Sequence, residues 1–484
     1  MSILYRPLVL IRVTASPALH TAPYVVYCNR FKVIRGDDTE RQIMHELTML
    51  LRNDMKPALG VTEPGAIAFS VAKAKSYTHG DLVGVHVAMN SGMYKNAFTC
   101  GIPGIRKVGS MYAAALGYVA GDSEKGLESL AGVTAEDNEA AFALVDDGLV
   151  KVSMSGITSR IFIEATVETT EDKAVVTIRD SHTNIVCITV NGEVVYGQAD
   201  AEDKSAGSDG AVVTGSISEA ISKSETEDKL IHRYTLAQLV EYADTVDLEE
   251  ITFIGEAYVT NLALLMTGLE SDKTTFGPML KKKNGDKLVS DDEQKTASLM
   301  CNGAIEARVI GLDKPAMSIT GSGAHGIIAT MPLYAAYCVN HYSMEKLLRA
   351  TALSYLVCTY IKEYSGKLSA FCGCAIAAGS GMACALVYLR DGTVEMMAHT
   401  LNNMASSITG MICDGGNQGC TMKGIAAVDA AYQSVDLAMN GVYIYNEHGI
   451  NGKTPEDTMR NMGLIASPGM VGTEKTIVEI FENK

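Results

Sequence analysis

The spacing of apolar residues predicts a mainly helical chain. Apolar positions recur at intervals of three and four residues in 236–242, 256–266, 295–308, 342–364 and 368–389, as in helices that bury one face. Earlier in the chain, 46–51 and 65–75 follow the same period, whereas 90–104 is rich in turn formers and predicts a loop. Helices therefore dominate the prediction on both sides of a central segment of different character.

Residues 148–196 change to the period of two that is typical of strands. Four runs of β-branched residues alternate there, and Asn191-Gly192 is a strong hairpin turn. Residues 180–184 are expected to connect two of the strands, and 197–229 is rich in Ser, Gly and acidic residues, as in an exposed linker or lid. The pattern predicts an α+β fold, with a small strand-rich insert on a mainly helical body.

The first 43 residues differ from the rest in charge and pattern. The part before Asp37 contains five basic residues and no acidic residue, and the segment shows no helical or strand period. A targeting presequence and an over-long gene model both fit, and we favour the second because Met44 opens the first convincing helix. The predicted organisation is an extension (1–43) outside the fold, an N-terminal part (44–147), the strand-rich insert with an acidic linker (148–229) and a helical part (230–484).

Composition and charge narrow the classes of function. The 484 residues are 47% hydrophobic and carry 56 acidic against 40 basic residues, a net charge of −16 that disfavours nucleic acid as a partner. Eleven cysteines, an odd number spread over a long chain, do not form a disulfide framework and indicate a reducing, cytoplasmic setting. Residues 315–340 and 368–389 are uncharged, but they are rich in small residues, so we interpret them as buried helices; a membrane transporter is the alternative.

Three cysteines carry the strongest chemical signal. Cys372 lies in a Gly-containing run, and Cys413 and Cys420 enclose the sequence Asp-Gly-Gly-Asn-Gln-Gly. Their spacing does not match a structural zinc site, whereas three thiolates in Gly-rich turns suit a 4Fe–4S cluster with one open iron. The alternative is that all three are ordinary buried cysteines, as we expect for Cys374 and Cys384.

Two other polar groups are candidates for substrate chemistry. Glu63 precedes Pro64 at a break between helices, and Lys95-Asn96 lies in the predicted loop, where the pair could bind a carboxylate. Each has a plain alternative, a solvated turn residue or an ordinary surface loop.

A Gly-rich run and a second polar group complete the candidates. Ser322 and His325 belong to the run Thr-Gly-Ser-Gly-Ala-His that opens an uncharged helix, a setting that can cradle an anion and position a proton carrier. A Gly-rich loop and a single histidine are also common without function. The predicted connection 180–184 offers a less convincing polar group that includes His182.

These motifs resemble those of the iron–sulfur L-cysteine desulfidases, which are related to the alpha chain of bacterial L-serine dehydratase. The resemblance runs from about Met44 to the C-terminus. The matching stretches are 57–64 (PALGVTEP), 95–97 (KNA), 101–104 (GIPG), 182–186 (HTNIV), 321–323 (GSG), 368–373 (LSAFCG), 411–416 (MICDGG), 419–423 (GCTMK) and 461–463 (NMG).

The resemblance implies β-elimination from a small L-amino acid without pyridoxal phosphate. Cys372, Cys413 and Cys420 match the ligands of a 4Fe–4S cluster, whose open iron binds the amino acid while a base removes the α-proton. The products would be pyruvate, ammonia and either sulfide or water. Two positions depart from the family pattern: Val61 stands where a cysteine usually precedes Thr-Glu-Pro, and Ala324 stands where Asn is common.

The sequence thus predicts an iron–sulfur lyase acting on L-cysteine, with L-serine as second choice. Glu63 or His325 would be the base, and Lys95, Asn96 and Ser322 would bind the substrate. One alternative, which Val61 favours, is a non-catalytic iron–sulfur protein. Another is a pyridoxal-phosphate enzyme that uses Lys423 or Lys95, but no recognisable lysine motif supports it. We expect no nucleic-acid or membrane partner, and a homo-oligomer stays open.

Overall fold

The structure, a computed structural model, describes residues 44–103, 105, 107–158, 160–198, 229–366 and 368–484. The predicted extension (1–43) and most of the predicted linker (197–229) lie outside these residues. Residues Met44–Lys484 cluster as one unit. Within the described ranges, helices far outnumber strands, so the predicted α+β class with a helical body is confirmed.

The helices and strands are numbered in chain order. The helices are α1 (Glu46–Asp54), α2 (Thr62–Lys75), α3 (Ser91–Ala97), α4 (Ser110–Val119), α5 (Ala135–Asp146), α6 (Leu236–Thr245), α7 (Leu248–Ile251), α8 (Gly255–Glu270), α9 (Phe276–Lys283), α10 (Glu293–Val309), α11 (Gly323–Asn340), α12 (Met344–Ser365), α13 (Gly379–Leu389), α14 (Val394–Ile408), α15 (Gly419–Met439), α16 (Pro455–Leu464) and α17 (Val471–Glu482). The strands are β1 (Lys56–Leu59), β2 (Leu82–Asn90), β3 (Val150–Gly156), β4 (Phe162–Thr169), β5 (Lys173–Arg179), β6 (Ile185–Val190), β7 (Glu193–Gly197) and β8 (Pro315–Ser318).

The strand-rich segment forms a six-stranded sheet in the order β3-β2-β4-β5-β6-β7. Strands β2 and β3 are parallel, and the other neighbours are antiparallel. Alternate residues of β4 and β5 are fully buried and face α2, as the period of two predicts. Asn191 and Gly192 both have positive φ (52° and 87°), which confirms the predicted hairpin turn between β6 and β7.

Small residues let the helices of the body pack closely. A side chain at Gly117 of α4 would lie 2.6 Å from the carbonyl oxygen of Ala68 in α2, and one at Gly381 of α13 would lie 2.2 Å from that of Ser354 in α12. Only glycine fits at these crossings, because any Cβ would collide with a backbone that cannot move aside. The scarcity of charge and abundance of Gly and Ala in these helices thus follow from their close packing.

The two uncharged stretches are largely buried within the body. Most of α11, including Pro332, and nearly all of α13 are inaccessible to solvent. Within the described ranges, the helical run Leu248–Glu270 is long and apolar enough to cross a bilayer, and 44% of its most apolar part is buried inside the protein.

Two predicted element boundaries are wrong. The predicted loop 90–104 contains the helix α3, which carries both Lys95 and Asn96. The predicted helix 368–389 begins only at Cys374, with a π-helical turn that leads into α13. Before that turn, Phe371 forms a β-bridge with Ile412, so backbone pairing with a distant segment replaces the first helical turns. Cys372 therefore lies on an extended segment and not inside a helix.

A buried carboxylate in α10 holds the start of α9 in place. Glu306 is fully buried, and its two oxygens accept hydrogen bonds from the backbone N–H groups of Thr275, Phe276 and Gly277 at 2.8–3.0 Å. These are N–H groups that a helix cannot satisfy internally, and a negative charge there is stabilised by the helix dipole. Glu306 also accepts a hydrogen bond from Gln418, so it ties this region to the Cys413–Cys420 loop.

We predict that Glu306→Gln lowers the free energy of unfolding by about 2–4 kcal/mol, because it removes a charged acceptor and turns an NH₂ group towards buried N–H groups. Urea unfolding measures the change. The matched control is Glu345→Gln, which replaces a half-exposed carboxylate paired with Arg349 and should cost at most about 1 kcal/mol. Equal effects of the two substitutions would contradict the assigned role of Glu306.

Candidate functional site

Glu63 is held in the first turn of α2, directly after β1. Gly60 has a φ of 64°, which allows the sharp turn, and Val61 is extended at the N-cap of the helix. The Glu63 side chain is 9% exposed, and its Oε1 accepts a hydrogen bond of 2.8 Å from Nδ2 of Asn96. Two separately predicted site residues, Glu63 and Asn96, are therefore brought together, with the carboxylate at the favourable end of a helix dipole.

His182 of the sheet approaches the same carboxylate. Its Nε2 lies 3.9 Å from Oε1 of Glu63, and the His182 side chain is 10% exposed. It belongs to the connection between β5 and β6, which the sequence predicts, so the insert contributes a titratable group to the Glu63 region. A protonated His182 would form an ion pair with Glu63, and a neutral one could relay a proton to it.

The Gly-rich loop before α11 lies beside these residues. Thr62 Oγ1 donates a hydrogen bond of 3.4 Å to the carbonyl oxygen of Gly321, and a side chain at Gly321 would lie 3.9 Å from Cε1 of His182. Thr320 and Gly321 both have positive φ, so the loop turns sharply. Ser322 is the N-cap residue of α11 and makes no side-chain capping bond. The loop is thus close to Glu63, as the resemblance implies.

His325 is buried on the side of α11 that faces the Cys372 segment. Its Nδ1 lies 2.5 Å from Oγ1 of Thr320, and a side chain at Gly373 would come within 2.8 Å of its Nε2. Burial, with the nearby charges of Lys362 and Arg308, lowers the pKa of His325 to about 3. An imidazole in this setting is weakly basic, which favours Glu63 over His325 as the predicted base.

Lys95 is buried in an ion pair. Its Nζ lies 2.9 Å from Oε2 of Glu474 in α17 and donates a hydrogen bond of 2.9 Å to the carbonyl oxygen of Ser369. Burial opposes its charge, but Cys413 and Glu474 nearby raise the pKa of Lys95 above its ordinary value. The structure thus directs this ammonium group to Glu474, whereas the sequence predicts that it binds a substrate carboxylate.

The three candidate cysteines come from two segments that pair with each other. The backbone N–H of Cys372 donates to the carbonyl of Met411 at 3.0 Å, and that of Cys413 donates to the carbonyl of Ala370 at 2.6 Å. Cys420 begins α15, and its thiol donates to the carbonyl oxygen of Gly415 at 3.4 Å. Cys372 and Cys413 are therefore neighbours across a short β-bridge, with Cys420 folded back over the same loop.

Burial and neighbouring cysteines raise the pKa values of these thiols. Burial, with Cys413 and Cys372 nearby, raises the pKa of Cys420 to about 12. Burial and Cys372 raise the pKa of Cys413, and a hydrogen bond with Cys374 together with burial raises that of Cys372 well above its usual range. Cys372 thus lies close enough to Cys413 and Cys420 to affect the pKa of each.

Three lysines surround the cysteines. The charge of Lys95 acts to lower the pKa of Cys413. Lys423, which is paired with Asp414, acts to lower the pKa of all three cysteines. Lys362 is buried, and a side chain at Gly373 would lie 3.1 Å from its Nζ. The lysines would offset the negative charge that deprotonated cysteines bring into a buried region.

The ligand types of the three cysteines are compatible with an iron–sulfur cluster. In the part of the chain that the structure describes, no three His, Cys, Asp or Glu side chains are arranged around one ion. A four-iron cluster separates its thiolate ligands more widely than a single ion does. Three thiols on glycine-rich loops, that of Cys372 buried and those of Cys413 and Cys420 partly buried, are ligands of the type that such a cluster binds, and lysines lie near them.

The cysteine loop also contacts the Glu63 region. Sγ of Cys413 lies 3.9 Å from Oδ1 of Asn96, and the N–H of Gly416 donates to the carbonyl of Asn96 at 3.2 Å. A side chain at Gly416 would lie 2.7 Å from Cγ1 of Val61. Asn96 thus bridges the carboxylate of Glu63 and the cysteines, and Val61 packs against the loop that carries two of them.

Sequence reasoning missed some of the charged groups of this region. Glu474 and Lys362 lie on helices whose patterns show no sign of function, and only the tertiary fold brings them to Lys95 and to the cysteines. His182 was recognisable as part of a polar group in the insert, but nothing in its position along the chain related it to Glu63.

Comparisons with known proteins place the chain among related sequences. Residues 124–479 match the family model described as the serine dehydratase alpha chain. A UPF0597 protein of Clostridium botulinum is 39% identical over 432 residues, which are 89% of this chain and 97% of the relative. UPF0597 proteins of Caldanaerobacter subterraneus (34% identical, 90% of this chain and 98% of the relative) and Clostridioides difficile (33% identical, with the same coverage) are also similar.

We predict that Lys95→Met lowers the free energy of unfolding by about 3–5 kcal/mol, because it leaves the Glu474 carboxylate buried without its partner. The double substitution Lys95→Met with Glu474→Met should restore part of this loss, since it removes both charges. Urea unfolding of the four proteins in the cycle gives the coupling energy. Lys475→Met, at an exposed neighbouring position, is the control and should have little effect. Additive losses in the double variant would contradict a buried ion pair.

Proposed function

We propose, from the premise that the chain belongs to the serine dehydratase alpha chain family, that it is an iron–sulfur-dependent lyase. It would carry out β-elimination on a small L-amino acid, L-cysteine first and L-serine second. The observation that carries this proposal is the contact of Asn96 with both Glu63 and Cys413. A proton acceptor and a group of three thiols thereby border one site.

Cys372, Cys413 and Cys420 would hold a 4Fe–4S cluster. Such a cluster supplies an iron with an open position, a Lewis acid that can bind the amino acid and stabilise the leaving group. Lys95, Lys362 and Lys423 would balance the charge of the thiolates. Family membership supports the choice of cofactor, because this family is generally associated with iron–sulfur clusters.

Glu63 is the better of the two predicted bases. Its carboxylate is held by Asn96 and lies near His182, which could pass the proton on. In the proposed reaction Glu63 removes the α-proton, and the Cβ–S bond breaks with its electron pair leaving on sulfur. The aminoacrylate that results takes up a proton and then water, which gives pyruvate and ammonia beside the sulfide. With L-serine the leaving group is water.

His325 has a different part in this proposal. An imidazole whose pKa is lowered to about 3 is a poor base at neutral pH. His325 instead orients the Gly-rich loop against the Cys372 segment. It is hydrogen-bonded to Thr320 in that loop and lies beside Gly373 in the segment. Ser322, at the N-cap of α11, and Asn96 are the candidates that contact the substrate.

A second candidate function, a non-catalytic iron–sulfur protein, rests on Val61. The valine packs against Gly416, where the family's usual cysteine would place a thiol beside the loop of Cys413 and Cys420. An iron–sulfur protein without that thiol could retain the cluster and lose turnover. We further propose that the protein acts in the cytoplasm without nucleic-acid or membrane partners, and that assembly into a homo-oligomer is compatible with this role.

We predict that protein purified without oxygen contains about four irons and four sulfides per chain and releases pyruvate from L-cysteine, and more slowly from L-serine. Replacing Cys372, Cys413 or Cys420 by Ser should remove iron and activity together. Iron and acid-labile sulfide analysis with a pyruvate assay measures both. The control Cys338→Ser changes a cysteine at the end of α11 and should alter neither. An iron content unaffected by all three substitutions would contradict the assigned ligands.

We predict that Val61→Cys raises sulfide release from L-cysteine by about tenfold or more, since a general acid or base typically contributes 10²–10⁴-fold. Val61→Ala, which changes the size of the side chain without adding a thiol, is the control. The measurement is kcat in protein with equal iron content. Strong wild-type turnover that Val61→Cys leaves unchanged and Glu63→Gln abolishes would show that Glu63 suffices as the base. An iron-loaded protein that is inactive in both forms would favour the non-catalytic alternative.

A further inference from the structure

Arg308 is a buried cation that forms no ion pair with any of the described residues. It lies in the last turn of α10 and is 4% exposed. Within the described ranges no carboxylate forms an ion pair with it, and its Nε is buried without a hydrogen-bond acceptor. An arginine cannot escape this cost by losing its proton, and an unpaired buried charge costs several kcal/mol. Such a residue is expected to have an anionic partner that the chain itself does not supply.

The guanidinium group lies against the start of α11. A side chain at Gly323, the first residue of that helix, would lie 2.7 Å from Nε of Arg308. Glycine is therefore required for the arginine to reach this position. The side chain of Ser322, at the N-cap, makes no capping bond, so it leaves the first-turn N–H groups of an 18-residue helix without a side-chain acceptor. A cation and a helix N-terminus together favour a bound anion.

This place adjoins the Glu63 site. The carbonyl of Gly321, two residues before Gly323, accepts the hydrogen bond of Thr62, the residue next to Glu63. Electrostatic effects also indicate that Arg308 and Glu63 lie near each other. Glu63 acts to raise, and Arg308 to lower, the pKa of the same buried thiol, Cys100. The charge of Arg308 also contributes to the lowered pKa of His325, next to the Gly-rich loop. An anion beside Arg308 would thus be within the region that holds the proposed base.

We propose that Arg308 and the N-terminus of α11 form the subsite that binds the α-carboxylate of the substrate. This inference rests on the proposed function and assigns the recognition of the carboxylate to a residue outside the sequence motifs. Lys95, which the sequence predicts for this task, already has Glu474 as its partner. A planar guanidinium presents two parallel N–H groups to a carboxylate, which suits the recognition of an α-amino acid.

The test compares two ligands that differ only in the carboxylate. L-alanine has the α-amino and α-carboxylate groups but no leaving group, so it binds without reacting, and L-alaninamide replaces the carboxylate by a neutral amide. Calorimetry with iron-loaded wild-type protein should show clearly tighter binding of L-alanine than of L-alaninamide. Arg308→Met should weaken binding of L-alanine by about 100-fold and remove the preference for it, while binding of L-alaninamide stays unchanged.

Two further variants keep the test decisive. Arg349→Met changes a largely buried arginine that contacts Ala243, Val246 and Glu345 elsewhere in the body, and it should retain the preference for L-alanine. If Arg308→Met does not fold, Arg308→Lys keeps the charge and loses the planar pair of donors. It should weaken binding of L-alanine by about tenfold with the preference retained.

The outcomes separate this inference from the proposed function. Wild-type protein that forms pyruvate but binds L-alanine and L-alaninamide equally, or an Arg308 variant that is folded and binds L-alanine as tightly as the wild type, would overturn the carboxylate subsite and leave the lyase standing. Arg308-dependent binding of L-alanine in a protein that forms no pyruvate would support the subsite and count against the lyase.

Discussion

The ion pair between Lys95 and Glu474 holds together the segments on which the site depends. It joins α3 to α17 near the C-terminus, and the same ammonium group binds the carbonyl of Ser369 before Cys372. Because both side chains are buried, neither charge can be left alone without a large cost. The next residue in α3 is Asn96, so the pair also fixes the amide that contacts Glu63 and Cys413. One buried interaction thereby orients residues from three distant parts of the chain.

Buried charge is distributed unevenly around this pair. Glu306 is satisfied by three backbone N–H groups, and Lys423 is paired with Asp414. Lys95, which is paired with Glu474, and Lys423 also lie near the candidate cysteines, as does the buried Lys362. Nε of Arg308 has no hydrogen-bond acceptor among the described residues. A cluster of thiolates and a carboxylate substrate would bring negative charge towards these lysines and Arg308, so the electrostatics and the proposed chemistry agree.

The sequence predicts local features well. The period of two and the Asn-Gly turn define the antiparallel strands of the insert, and the uncharged Gly- and Ala-rich stretches correspond to buried helices, because these features depend on neighbours along the chain. The matched motifs correctly indicate the family. The predicted helical start of 368–389 is wrong because pairing of Phe371 with Ile412 replaces the first turns. The lowered pKa of His325 results from burial, which the sequence does not show. The sequence could not relate Lys95 to Glu474 or His182 to Glu63, since those contacts exist only once the helices and the sheet are packed together.

The central claim is that Cys372, Cys413 and Cys420 hold a four-iron cluster with one iron open to an amino acid at the Glu63 site. Mössbauer spectroscopy of protein enriched in ⁵⁷Fe and purified without oxygen tests it most directly. The account predicts that one iron in four gives a signal distinct from the other three, and that adding L-alanine shifts this signal alone. Four irons that are indistinguishable and do not respond to the amino acid, or a folded protein that takes up no iron, would contradict it.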